Sequence, residues 1–148
     1  MREILFRGKT QKGEWVQGVP FFEEKRCFII EDLFICDEYD CTGAVNSMVI
    51  PETVGQYTGL TDKNGKKIFE GDYWLDTDGD YLVYVVEFRE GQFGFACYGW
   101  QGALMPYGFD EDAGGFGEID FSPMTDFNID LIEIEGNIHD NPELLEKE

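Results

Sequence analysis

Residues 57 to 72 read YTGLTDKNGKKIFEGD, and three kinds of loop are built from such residues: a calcium loop, a phosphate loop and a hairpin turn. A calcium-binding EF-hand loop places oxygen ligands at positions 1, 3 and 5, glycine at 6 and glutamate at 12. With Gly65 at position 6, Asp62 and Asn64 fall at positions 3 and 5, but Leu60 and Gly71 stand at the two ends. Gly79, tested in the same way, puts Trp74 and Val85 there. A phosphate-binding loop needs Gly-Lys followed by Ser or Thr, so that a hydroxyl can meet magnesium. Here Lys67 follows Gly65-Lys66. What fits is a hairpin, with Asn64-Gly65 as a type I′ turn between arms at Thr58–Asp62 and Lys66–Phe69.

The flanking segments repeat this strand-and-turn pattern. The opening, REILFRGKTQKGEWVQGVPFF, alternates apolar and polar residues about a Lys-Thr-Gln-Lys-Gly turn, with Ile4 and Phe6 on one strand and Trp15 on the next. Arg26–Cys36, RCFIIEDLFIC, reads as two short strands about Glu31-Asp32, and the DEYDCTGA that follows reads as loop. Pro51 argues against a central strand. Asp78-Gly79 suits a tight type I′ turn before YLVYVVEF, and QFGFACYGW follows a second turn at Arg89-Glu90-Gly91. FNIDLIEI, from Phe127 to Ile134, alternates as a further strand. Helix is confined to the tail NPELLEKE, where Asn141 can cap, Pro142 suits the first position and Glu143 complements the helix dipole. Many short strands joined by tight turns, with no linker between them, specify a barrel or sandwich.

At 148 residues the chain has the length of one compact domain. Thirteen Phe, seven Tyr and three Trp supply a core despite a net charge of −20. No apolar run approaches the roughly 20 residues of a membrane span, and MREILFRGKTQ lacks the apolar stretch of a signal peptide, so a cytoplasmic protein is expected. The acidic balance argues against direct binding to nucleic acid and against anionic membranes. The charge is uneven: residues 1 to 72 hold 9 Lys/Arg against 13 Asp/Glu, a net of −4, and residues 73 to 148 hold 2 against 18, a net of −16.

Chemistry-bearing residues are sparse. Cys27, Cys36, Cys41 and Cys97 lack the paired Cys-x2-Cys spacing of common zinc modules, and without an export signal they read as reduced thiols. One histidine, His139, and two serines, Ser47 and Ser122, leave little for a catalytic triad, and nothing in the sequence brings Cys97 to His139. Carboxylate pairs carry no weight among 31 acids. No catalytic residue, cofactor or metal site is expected. Gly99–Gly117 holds six glycines and shows neither helical nor strand periodicity. Long irregular stretches are usually functional or disordered. Trp100, Tyr107, Phe109 and Phe116, with the acids Asp110, Glu111 and Asp112, therefore form the candidate interaction surface.

The order of motifs carries a resemblance. The opening Arg2–Gly18, the run ETVGQYTGLTDKNGKKIFEGD (Glu52–Asp72) and the close IEGNIHDNPELLE (Ile134–Glu146) together resemble the YopX family, small proteins encoded by phages and prophages. The resemblance covers nearly the whole chain. It implies a mainly β fold, a single domain over residues 1–148 in which 1–50 form an N-terminal β-hairpin extension and 51–148 an SH3-like barrel core. A short C-terminal helical turn completes the expected fold. In that barrel Glu70-Gly71-Asp72 leads into a strand and the GNI segment returns near the end. The resemblance brings no catalytic residue or cofactor, and stretch 99–117 departs from the family pattern. The expected function is a non-enzymatic protein-binding or assembly module of the bacterial host cytoplasm, whose partner is another protein or itself as a homo-oligomer. The alternative is an acidic nucleic-acid mimic that inhibits a basic host DNA-binding protein.

Overall fold

The computed structural model describes residues 3–36, 41–78, 82–100 and 116–145. Among these residues the chain is mainly β, in two antiparallel sheets, and its helical pieces are 3-10 turns. It divides into two compact units, Met1–Gly59 and Leu60–Glu148.

The first unit carries β1 (Phe6–Lys9), β2 (Trp15–Glu23), β3 (Arg26–Cys36), β4 (Cys41–Val49) and most of β5 (Gly55–Thr61), in the order β4-β3-β2-β1-β5. The expected turn at Glu31-Asp32 is instead a bulge in one continuous strand. Pairing steps from Ile30↔Asn46 to Asp32↔Val45, so Glu31 has no opposite number. A bulge absorbs one polar residue while the apolar runs on both sides stay paired, which a turn would forfeit. Alternate residues of β3 face the core: Cys27 and Ile29 are fully buried with Val49, and Phe6, Val16 and Val54 pack against them. Pro51 opens a 3-10 turn, Pro51–Thr53. The Thr53 hydroxyl donates to the Ile50 carbonyl at 2.6 Å and accepts the Lys9 N–H at 2.9 Å, which fastens that turn to β1.

Past Gly59, β5 continues into a hairpin with β6 (Lys67–Phe69). The second sheet has the order β10-β9-β8-β7-β11, built from β7 (Asp72–Asp76), β8 (Leu82–Arg89), β9 (Gln92–Trp100), β10 (Phe116–Pro123) and β11 (Gly136–Asn137). Glu90 and Gly91 have φ of 52° and 81° between the paired Arg89 and Gln92, the signs of a type I′ turn. The turn expected at Asp78-Gly79 reaches beyond the described residues, since Gly79 is not among them; β7–β8 pairing ends at Asp76↔Leu82.

FNIDLIEI is not a strand. It forms a 3-10 turn at Ile129–Leu131 and then an extended segment in which Ile132 and Ile134 are buried and Leu131 is exposed. Its alternation is real, but its backbone groups are committed elsewhere: Ile132 C=O accepts the Lys63 N–H, and Glu135 N–H donates to Tyr73 C=O. Beside it lies the main core of Ile68, Val86, Phe95, Met124, Ile132 and Ile134. Trp74 stacks on Tyr84 at 4.2 Å and 7°, with Phe95 and Phe127 edge-on to it. The opposite face of the same sheet buries Tyr73, Val83 and Val85.

Two expectations are met only in coarser form. No closed barrel is found among the described residues, where β10 and β11 stand at the two ends of their sheet. The C-terminal turn, Pro142–Leu145, is 3-10 rather than α-helical.

Candidate interaction surfaces

Asn64-Gly65 is a turn, though not of type I′. Gly65 has φ of 82° while Asn64 stays at negative φ. The Asp62 carbonyl accepts the Gly65 N–H, and the Asp62 N–H donates to Lys66 C=O, which makes a three-residue loop ending in a left-handed glycine. The cause is the Asp62 side chain. Its Oδ1 accepts the N–H groups of Asn64 and Lys66, both at 2.9 Å, and so holds the residues between them in a right-handed turn. Its Oδ2 accepts the buried Ile134 N–H at 3.0 Å. Burial pushes the Asp62 carboxyl up, but the donors Ile134, Lys66 and Asn64, with the Lys66 charge, outweigh it and hold it below its ordinary value.

The other signature residues are used in the same way. Asp72, fully buried, accepts the Phe69 N–H at 2.8 Å. Asn137 Oδ1 accepts the N–H groups of His139 and Asp140, and its Nδ2 donates to Asp140. Gly71, at φ 89°, donates to Val86 C=O and accepts from Ile138 N–H, and a β-carbon there would lie 3.1 Å from His139 Nε2. These polar groups serve the chain's own backbone.

Of the predicted surface, Trp100 ends β9 and pairs with Phe116, the first residue of β10. The register thus brings the two ends of the Gly-aromatic stretch together. Tyr107, Phe109, Asp110, Glu111 and Asp112 lie outside the described residues. Among groups capable of nucleophilic or acid-base work, Cys27 and Cys97 are buried, and burial pushes both thiols up. Burial, then the neighbouring Cys97, pushes Tyr84 up to about 12. Among the described residues no three His, Cys, Asp or Glu side chains group to hold a metal ion.

Two surfaces were not anticipated. The first is the outer face of β2, β3 and β4. Register sets Phe21 opposite Phe28 and Phe28 opposite Met48, with Val19, Ile30 and Asn46 forming the next row. Val19, Phe21 and Met48 are 58%, 53% and 48% exposed. Neither row contains a charge. The available signal was apolar residues in both phases of a strand, as in PFF and CFII, which a sheet covered on one face does not need.

The second is an acidic cleft of about 350 Å³ lined by Trp74, Asp76, Asp78, Glu133 and Glu135, with Lys63 as the one cation among its lining residues. Lys63 pairs with Glu133 at 3.2 Å, Glu135 accepts the Leu75 N–H, and Asp76 accepts the Asp78 N–H. These acids come from separate segments, so only the fold assembles them.

Among the described residues, then, the chain is mainly β, its signature polar residues build turns, and its exposed features include an apolar sheet face and an acidic cleft. A family model described as YopX protein matches residues 5–146, nearly the whole chain, and the chain belongs to that family. No curated protein and no solved structure matches it.

Proposed function

We propose that this YopX-family chain is a phage-derived, non-enzymatic assembly module that associates with itself through the β2–β3–β4 face in the bacterial cytoplasm. The carrying observation is the pair of uncharged apolar rows. A chain of net charge −20 repels its own copies at a distance, so self-contact is favoured where charge is absent and apolar area can be buried. Residues 1–59, which carry those rows, hold 6 Lys/Arg against 10 Asp/Glu, a net of −4. β4 ends its sheet beside the same face, and an unpaired strand edge can extend the contact. The order β10-β9-β8-β7-β11, with 3-10 turns before the last strand, supports an SH3-like reading of the second unit.

Sedimentation equilibrium from about 1 to about 300 μM tests the proposal, since that range brackets affinities of ordinary reversible dimers. The wild type should associate, more strongly at higher salt as repulsion is screened. Phe21→Ser with Met48→Ser should weaken association at least tenfold with an unchanged circular dichroism spectrum. A wild type that stays monomeric throughout overturns the proposal.

The acidic cleft favours a second reading, an acidic mimic of nucleic acid that blocks a basic host DNA-binding protein. Retention of such a protein from host lysate, lost steeply with salt and displaced by added DNA, is the outcome that reading requires.

A further inference from the structure

Two methionines fall among the described residues, and the fold treats them oppositely. Met124 is 5% exposed, within the core of Ile68, Val86 and Phe95. Met48 is 48% exposed on β4, directly opposite Phe28, which is in turn opposite Phe21. It also lines an open cleft of about 390 Å³ beside Thr10, Gln11 and Lys12 of the β1–β2 turn, wide enough for a small oxidant to reach the side chain. A thioether is apolar and a weak acceptor, so it loses little when a facing apolar surface excludes water. Its sulfoxide carries a strong acceptor that must keep its water or be buried without a donor. The row supplies none, since the side chains of Phe21 and Phe28 have no N–H or O–H.

We infer, resting on self-association through this face, that Met48 is an oxidative modification site that regulates the contact: a hydroperoxide converts its thioether to the sulfoxide, and the modified chain is released as monomer. A sulfur lone pair attacks one peroxide oxygen and the O–O bond breaks. That oxygen stays on sulfur, and with hydrogen peroxide the other leaves as water. Sulfur loses two electrons, which the peroxide gains. A methionine sulfoxide reductase supplied with a dithiol reverses the change, the dithiol closing to a disulfide while the oxygen leaves as water. Because association covers the face, the free chain reacts first, and its removal draws the equilibrium toward monomer.

The test treats the folded full chain with hydrogen peroxide, follows each sulfoxide by peptide mass spectrometry over time, and measures association by sedimentation equilibrium before and after. Met48 should be converted well before Met124, and more slowly at concentrations where the chain associates. The oxidised protein should associate roughly tenfold more weakly, and reductase treatment should restore it. Met48→Leu keeps the size and apolar character of the side chain, so it should associate as the wild type does and be indifferent to peroxide. An untreated wild type that is monomeric throughout refutes the self-association reading and leaves Met48 no contact to regulate. A wild type that associates equally well before and after conversion of Met48 overturns the inference alone. So does a Met48→Leu chain that loses association in peroxide, or a Met124 that is converted as fast as Met48.

Discussion

Replacing Asp62 by alanine tests whether the stretch at residues 57–72 is held by one buried carboxylate. The side chain is 5% exposed and accepts three backbone N–H groups. The Ile134 N–H is buried, and leaving it without an acceptor costs about 1–3 kcal/mol. The Asn64 and Lys66 groups lie in a partly exposed turn that water can reach, so each contributes about 0.5–1 kcal/mol. The expected loss is therefore about 2–5 kcal/mol, which for a chain of this size lowers the melting temperature by roughly 5–15 °C. Urea unfolding at several pH values is the assay. Asp62 has its folded pKa depressed, so its stabilisation is fully present above the ordinary value of 3.8 and is lost as pH falls through the lower folded value. The gap between wild type and Asp62→Ala should be widest near neutrality and narrow in acid. A variant within about 0.5 kcal/mol of wild type at neutral pH, or a gap that persists undiminished in acid, refutes this account.

Gly71 and Gly65 share positive φ but differ in surroundings, since a β-carbon at Gly65 meets nothing within 4 Å. Gly65→Ala should cost about 1 kcal/mol of backbone strain, and Gly71→Ala about 1–3 kcal/mol, because the His139 ring must also give way; equal losses in urea unfolding would remove His139 from the argument. Arg89 lies between Glu87 and Glu118, with its guanidinium 4.9 Å from the Phe121 ring centroid, and thereby ties β8 to β10. Its side chain is 37% exposed, so after allowance for solvent screening Arg89→Gln should cost only about 1 kcal/mol. Glu87 is already raised, first by burial, and would rise further without its counter-charge; the cost should therefore shrink in acid as Glu87 is neutralised, and a loss independent of pH would point to packing on Phe121 instead.

Much of the β content was legible because it is local. QFGFACYGW is β9 residue for residue, and the arms of the 57–72 hairpin end within one residue of expectation on the turn side, while the first begins three residues earlier, at Gly55. Most of the errors share a cause, a partner distant in sequence. Phe127–Ile134 alternates as a strand does, but its amides and carbonyls are claimed by Asp62 and Lys63. Asn64-Gly65 has the composition of a type I′ turn, and here the cause is local: the nearby Asp62 carboxylate captures the Asn64 and Lys66 amides. Glu31-Asp32 reads as a break until the opposing strand shows that only one residue is extra. The acidic cleft was invisible for the same reason, since Asp76 and Glu135 meet only through the pairing of β7 with β11.

The placement of the signature residues also bears on where activity can reside. A carboxylate offers about four acceptor positions, and Asp62 gives three of them to backbone amides while almost wholly buried. Asp72 is buried further still. Neither can present an oxygen to a ligand without disturbing the turn it holds, so these two carboxylates of the 57–72 stretch serve the frame. The apolar rows on β2, β3 and β4 are drawn from residues 19–48, which lie wholly between the Arg2–Gly18 and Glu52–Asp72 motif segments. The apolar side chains of Val19, Phe21, Phe28, Ile30 and Met48 carry none of the backbone duties that fix Asp62, Gly71 and Asn137. They can be exchanged without removing an acceptor from a buried amide, so this face can take up a new partner surface while the frame stays intact.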